Sequence, residues 1–465
     1  MYKFILCFAF LAVVLSATPD QWRSRTIYQV LTDRFARTDG STAPCQNLSD
    51  YCGGTFQGLM NHLDYIAGMG FDAIWISPIV ANTQGGYHGY WAQNFSQINP
   101  YFGSATDLIN LVKAAHAKGI WVMLDVVANH VGPVGFNFSQ IFPFNSASNY
   151  HPYCIIENWN NQTEVENCRL AGLPDLAQED PATRLALLTW VTAVVKTYGF
   201  DGLRVDTVPE VPKGFWSQYT QAAGVYTLGE VFNGDMNYVA GYQGPLHGVL
   251  NYPLYFTLKD VFIYYKSMNN LESYFKSAAA TFTDLSLLGN FVDNHDNPRF
   301  LNLNNDIAMF KAALAFSLTT VGIPILYYGD EQGFSGGADP YCREPLWTSM
   351  NTSSEIYQYI KTILTFRKQT KFYLETQVQR WSDDSFYAFT RGAYFFAFTN
   401  NKNQQVRMVD YHPYSEGMTL CNLFWSGDCV KITNGKLPVY LNNGEVKIFY
   451  PQTNQVFEDH GFLSI

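Results

Sequence analysis

The chain has 465 residues, 47% of them hydrophobic and 16% aromatic, and a formal net charge of −10. Such a length buries one large domain of about 250 to 300 residues plus one or two smaller ones. The acidic balance, with no Lys/Arg run able to track a phosphate backbone, excludes nucleic acid as a partner.

The opening stretch MYKFILCFAFLAVVLSATPD carries one Lys and then an apolar run ending in small residues. This is the pattern of a signal peptide over residues 1–17, with the mature chain starting near Ala17 or Thr18. No later apolar stretch reaches about 18 uncharged residues, so no membrane anchor is expected in the mature chain. Secretion, outside the cell or into the lumen of a digestive compartment, also fits five Asn-x-Ser/Thr sequons, at Asn47, Asn94, Asn137, Asn161 and Asn351. Beyond Cys7 the cysteines fall into near neighbours, Cys45 with Cys52, Cys154 with Cys168 and Cys421 with Cys429. An oxidising compartment would bridge these pairs and leave Cys342 as a free thiol.

From residue 26 onward short apolar runs alternate with longer helical patterns. The runs TIYQVLTDRF (26–35), FDAIWISP (71–78), IWVMLDVVANH (120–130), FDGLRVD (200–206), VYTLGEVF (225–232), HGVLNYPLY (247–255), LLGNFVDNHD (287–296) and IPILYYGDEQ (323–332) read as eight strands. Helical patterns lie between most of them, as in 104–119, 181–199 and 304–322. Eightfold alternation predicts an α/β fold, a (β/α)8 TIM barrel, over residues 18–130 and 182–371. The Asn-, Pro- and aromatic-rich stretch 131–181 is too long for a loop and reads as a small subdomain inserted after the third strand. Short alternating runs beyond residue 372 predict a C-terminal antiparallel β-sandwich domain to residue 465.

Charge sits where a core strand should not have it. In DGLRVDTVPE (201–210), Leu203, Val205 and Val208 read as buried, yet Arg204 and Asp206 share one face. The third strand ends in Asp125, Asn129 and His130, the fifth in Glu230, and the seventh in His295 and Asp296. An internal ion-pair network around Arg204 would explain one such end but not four on one rim, where barrels carry their chemistry. Two carboxyls facing each other across a cleft suit glycoside hydrolysis, in which one protonates the departing oxygen while the other attacks the anomeric carbon. Arg204 would keep Asp206 ionised, and a less polar setting would keep Glu230 protonated.

DVVANH, GLRVDTVPE, LGEVF and FVDNHDNPRF, in this order and on these strands, resemble the four signature regions of the α-amylase family, retaining glycoside hydrolases on a (β/α)8 barrel, and are most similar to its secreted fungal type. The resemblance implies Asp206 as nucleophile, Glu230 as general acid/base and Asp296 as transition-state stabiliser. It implies sugar contacts from His130 and His295, from His88, Tyr90 and Trp91 in YHGYW (87–91), and from Asp339 and Arg343, with Arg204 holding Asp206. It also implies a calcium ion between barrel and insert, with Asn129, Glu166 and Asp175 as ligands and Glu210 through its backbone carbonyl; such oxygen donors suit that cation. Pro209 and Glu210 depart from the Lys-His that the fungal type often has, which leaves the leaving-group side without its usual donors.

The expected activity is endo-acting hydrolysis of α-1,4-glucosidic bonds in starch or glycogen with retention, by a secreted monomer whose partner is the α-glucan itself. An exo-acting α-glucosidase or a transglycosylase would share all four regions. A non-catalytic carbohydrate-binding relative would typically lose a carboxylate or carry a membrane anchor.

Overall fold

Parallel strands buried on both faces need layers above and below them, and the sequence supplies these by alternating Val/Ile-rich runs with amphipathic helices. A computed structural model describes residues 17–452. The leader, apart from Ala17, as well as Cys7 and the residues from 453 on, lie outside the described part. The barrel strands are β1 (Ile27–Val30), β2 (Ala73–Ile76), β3 (Trp121–Val126), β4 (Gly202–Val205), β5 (Tyr226–Gly229), β6 (Gly248–Val249), β7 (Gly289–Asn290) and β8 (Ile323–Tyr327). They pair in the order β6-β5-β4-β3-β2-β1-β8-β7, and a Leu250–Gly289 bridge joins the two edges of this sheet. The register sets Asp125 of β3 beside Arg204 of β4.

The helices begin and end where local chemistry stops them. Ser104 caps Ala105–Ala117 by accepting from the Asp107 amide, and Asp180 with Pro181 opens Pro181–Tyr198, which closes on left-handed Gly199. The run 247–255, read as a strand, is corrected: only Gly248–Val249 is extended, and the chain turns into a helix at Tyr252–Leu258. Asn251 caps that helix and Pro253 sits in its first turn, where a missing amide hydrogen does no harm. The run 287–296 is also a shorter strand, so His295 and Asp296 stand on the loop beyond β7. An antiparallel hairpin, Val80–Asn82 with Ala92–Ile98, follows β2, and the turn between its strands carries His88, Tyr90 and Trp91.

Between β3 and Pro181 the chain forms turns, three short 3₁₀ helices and one α-helix, Gln162–Asn167, with a small cluster of Ile156, Val165 and Cys168. This segment is fastened to the end of β3 by Leu176 N donating to Asn129 O (2.8 Å) and Val131 N to Pro174 O (3.1 Å). Beyond the last long helix (Glu355–Thr370), six antiparallel strands form one sheet and Gln405–Val409 pairs with Leu437–Leu441 in another. One face of the larger sheet sets Phe389 and Phe398 against barrel-helix Phe316. The three neighbouring cysteine pairs are bridged and Cys342 is a buried free thiol. Among the described residues no helix is long and apolar enough to cross a membrane.

Candidate active site

At the carboxyl ends of the strands one guanidinium organises three acids. Arg204, 1% exposed, reaches Asp125 (Nη1 to Oδ1, 3.0 Å), Asp206 (Nη1 to Oδ1, 2.7 Å) and Glu230 (Nη2 to Oε2, 2.8 Å). The parallel register explains this reach, since β3, β4 and β5 are neighbours and present the three acids at their ends. A buried charge of this kind is tolerable only when paired, and here it is paired threefold. Asp206 Oδ2 accepts from the Thr207 hydroxyl (3.2 Å), and Glu230 Oε2 accepts from the Thr207 amide (3.1 Å). Thr207 itself is left-handed, at φ 45° and ψ 52°, a conformation costing a β-branched residue about 1 to 3 kcal/mol.

A second set of contacts fixes Asp125 and His295. Trp75 Nε1 and the Tyr90 hydroxyl both donate to Asp125 Oδ2, at 2.9 and 2.7 Å. Gln29 Nε2 donates to His295 Nδ1 (2.8 Å), which leaves the ring proton on Nε2, facing the Tyr90 hydroxyl at 2.7 Å. The Tyr90 ring lies parallel to those of His295 and His88, at 8° and 22°. Asp296 takes Arg343 Nη2 at 3.3 Å, and Arg343 also holds Asp339 at 2.9 Å. Eleven of the expected site residues line one cleft of about 510 Å3: His88, Tyr90, Trp91, His130, Asp206, Glu210, Glu230, His295, Asp296, Asp339 and Arg343.

The electrostatics separate the carboxyls. Burial pushes Glu230 up to about 8, Arg204 opposing it and the charges of Asp206 and Asp296 adding to it. Burial pushes Asp206 up to about 6, with Arg204 opposing it through charge and a hydrogen bond. At Asp296 burial is outweighed by the neighbouring His295, Arg343 and Arg204, which hold its pKa below the usual carboxylate value. Burial lowers His130 to about 4 and His295 to about 3, so both rings are neutral near pH 7. The cleft therefore sets the more easily ionised Asp206 and Asp296 against Glu230, and burial raises Glu210 on the same wall to about 8 as well. Arg204 is not reserved for Asp206, as the sequence had suggested; it is shared with Asp125 and Glu230.

The residues expected to hold calcium come together in part. The Asn129 amide stands 2.9 Å from Asp175 Oδ1 and 3.1 Å from the Glu210 carbonyl. With its NH2 turned there, the amide donates to both; with its oxygen turned there, three oxygens face one another, an arrangement that calls for a cation. This donor set fits a hard ion bound through oxygen. Glu166 on the helix of the inserted segment has its Oε1 taken by Gln162 Nε2 at 2.8 Å, and that same nitrogen donates to Pro209 O at 2.9 Å. Among the described residues no group of three His, Cys, Asp or Glu side chains is placed to bind a metal without such amide and carbonyl help.

Pro209 and Glu210 line the cleft, where Glu210 Oε2 is buried with no hydrogen-bond partner. Trp159 and Phe232, 58% and 56% exposed, add two aromatic faces on the same cleft that the sequence reading did not single out. The role of Asp125 as an anchor for Arg204 was also missed, although its register opposite Arg204 could have revealed it.

Comparison with known proteins agrees with this geometry. The alpha amylase catalytic domain family matches residues 29–412. Alpha-amylase 2 of Schwanniomyces occidentalis is 43% identical over 79% of this chain and 76% of its own length. The alpha-amylase of Saccharomycopsis fibuligera is 39% identical over 93% of this chain and 92% of its own. The solved alpha-amylase of Malbranchea cinnamomea superposes with a TM-score of 0.90 at 40% identity, covering 94% of this chain and 98% of that one.

Proposed function

The chain belongs to the alpha-amylase family of glycoside hydrolases, and from that premise we propose that it cleaves internal α-1,4-glucosidic bonds of starch or glycogen by double displacement with retention. The observation that carries this reading is the split between two carboxyls on one cleft, Glu230 holding its proton near neutrality and Asp206 ionised beside Arg204. Glu230 protonates the departing glycosidic oxygen while Asp206 attacks the anomeric carbon, and Glu230 then takes a proton from the incoming water. Asp296, kept ionised by Arg343, faces the positive charge that develops on the sugar ring. Retention calls for the two carboxyls about 5 to 5.5 Å apart.

Sugar contacts are assigned to His88, Tyr90, Trp91, His130, His295, Asp339 and Arg343, all on the cleft wall. Asn129, Asp175 and the Glu210 carbonyl would hold a calcium ion, and Glu166, whose Oε1 accepts from Gln162, would join them through its carboxylate. That ion would supply no chemistry beyond tying the inserted segment to the barrel. The chain is read as a secreted monomer acting on α-glucan, supported by three disulfides.

The test is to follow the products of amylose and of short maltooligosaccharides over time, with the anomeric form read by NMR. Mixed oligosaccharides appearing early, with α-anomeric ends, are expected. A single small sugar released from chain ends points to an exo-acting enzyme, and a β-anomeric first product overturns retention.

A further inference from the structure

Thr207 stands between the two reacting carboxyls and touches both. Its hydroxyl donates to Asp206 Oδ2 at 3.2 Å and its amide to Glu230 Oε2 at 3.1 Å. Both bonds are made by a residue whose backbone stands at φ 45° and ψ 52°, with its amide on Glu230 beyond β5 and its side chain on Asp206. A β-branched residue rarely adopts this conformation, and Gly or Asn would do so more readily. Strain of this kind persists where the surrounding structure enforces it, and it gathers at sites of chemistry. Val208, next in the chain, is fully buried and its amide donates to Glu230 O at 3.1 Å, which holds the turn closed.

We propose that Thr207 is a positioning residue that aims both carboxyls from one strained backbone unit, its hydroxyl setting the rotation of Asp206 and its amide that of Glu230. The inference rests on the roles given above to Asp206 and Glu230. Asp206 Oδ1 is anchored by Arg204 at 2.7 Å, whereas Oδ2 meets the longer contact from Thr207. The oxygen with the weaker partner is the one free to form the bond to the anomeric carbon. As that bond forms, the bond to the departing oxygen breaks and the Glu230 proton passes to the departing oxygen; the Thr207 hydroxyl, a neutral rotor, is released from Oδ2 without leaving a buried charge unpaired. At Glu230 the amide and Arg204 both occupy Oε2, while Oε1 has the Tyr252 hydroxyl at the longer distance of 3.4 Å. The proton is thereby directed to Oε1.

The hydroxyl is separable from the backbone. Thr207→Val keeps the branched side chain and the amide and removes only the hydroxyl. We expect kcat/KM on starch and on α-maltosyl fluoride to fall together by about ten- to a hundredfold, the usual effect of losing a hydrogen bond to a charged group. The acidic limb of the pH profile should move upward, because the Asp206 carboxylate has lost a donor, while the alkaline limb stays. The charged and titratable groups that face Asp206, namely Arg204, Asp125, Glu230, Asp296, Tyr90 and Glu210, are unchanged in this variant. Thr207→Ser, which restores the hydroxyl, should return activity to within about threefold. If Thr207→Val does not melt cooperatively, Thr207→Ala tests the same loss with a smaller side chain. Activity within twofold of the native chain with an unmoved acidic limb, or a loss that Ser does not rescue, overturns the proposal. Asp206→Asn and Glu230→Gln run in parallel keep the outcomes apart. If they behave as assigned while Thr207→Val is silent, only the role of Thr207 fails; if they do not, the assignment of the carboxyls fails first.

Discussion

Glu230 sits where a carboxyl is uncomfortable, and that discomfort is what its task requires. Activity needs Asp206 ionised and Glu230 protonated, so kcat/KM should trace a bell with its acidic limb near 6 and its alkaline limb near 8, both belonging to the interacting pair. A profile flat from pH 5 to 9 would contradict the reading. The same burial has a consequence for stability. A carboxyl whose folded-state pKa is raised stabilises the fold below its unfolded pKa, and this contribution is lost as pH rises through about 8. Glu230→Gln cannot ionise and should melt higher than the native chain at pH 8, with the gap closing toward pH 4; a variant that melts lower at pH 8 would mean that the contact with Arg204 outweighs desolvation.

The element most dependent on outside help is the segment between β3 and Pro181, whose own buried cluster is only Ile156, Val165 and Cys168. It is held by the Cys154–Cys168 bridge, by Ile141, Phe144, Tyr150 and Leu176 buried in the main core, by backbone bonds at Asn129 and Val131, and by the oxygens gathered around Asn129. If calcium binds there in the folded state alone, a chelator should lower the thermal midpoint and restored calcium should raise it. An unchanged midpoint together with no metal by elemental analysis would remove the ion from the account. The bridge closes a loop of 14 residues, so replacing both cysteines by Ser should cost about 3 kcal/mol in the chain-entropy view. Proteolysis within 131–180 would report that loosening earlier than global unfolding does.

For the whole molecule, long periodic segments were legible and short ones were not. Strands of four to six residues such as β3, and helices with a clear cap such as Ala105–Ala117, declared themselves by pattern. β6 and β7, two residues each, were read as strands but too long; after β6, Asn251 and Pro253 start a helix inside an apolar run that alternation alone reads as strand. The rim residues were legible from charge in the wrong place, but not the sharing of Arg204 among three acids, which needs neighbouring strands in register. The left-handed turn at Thr207 left no trace either, since nothing about a threonine announces positive φ.

The central claim is the division of labour between Asp206 and Glu230, and α-maltosyl fluoride tests it most directly, because fluoride departs with little need of a proton. Asp206→Asn should be inactive on starch and on the fluoride alike, since no glycosyl-enzyme can form. Glu230→Gln should lose several orders of magnitude on starch, where general acid help is worth ~10² to 10⁴ and more for a poor leaving group, yet keep most of the glycosylation rate on the fluoride. Equal losses on the two substrates for Glu230→Gln, or turnover of the fluoride by Asp206→Asn, would contradict the assignment.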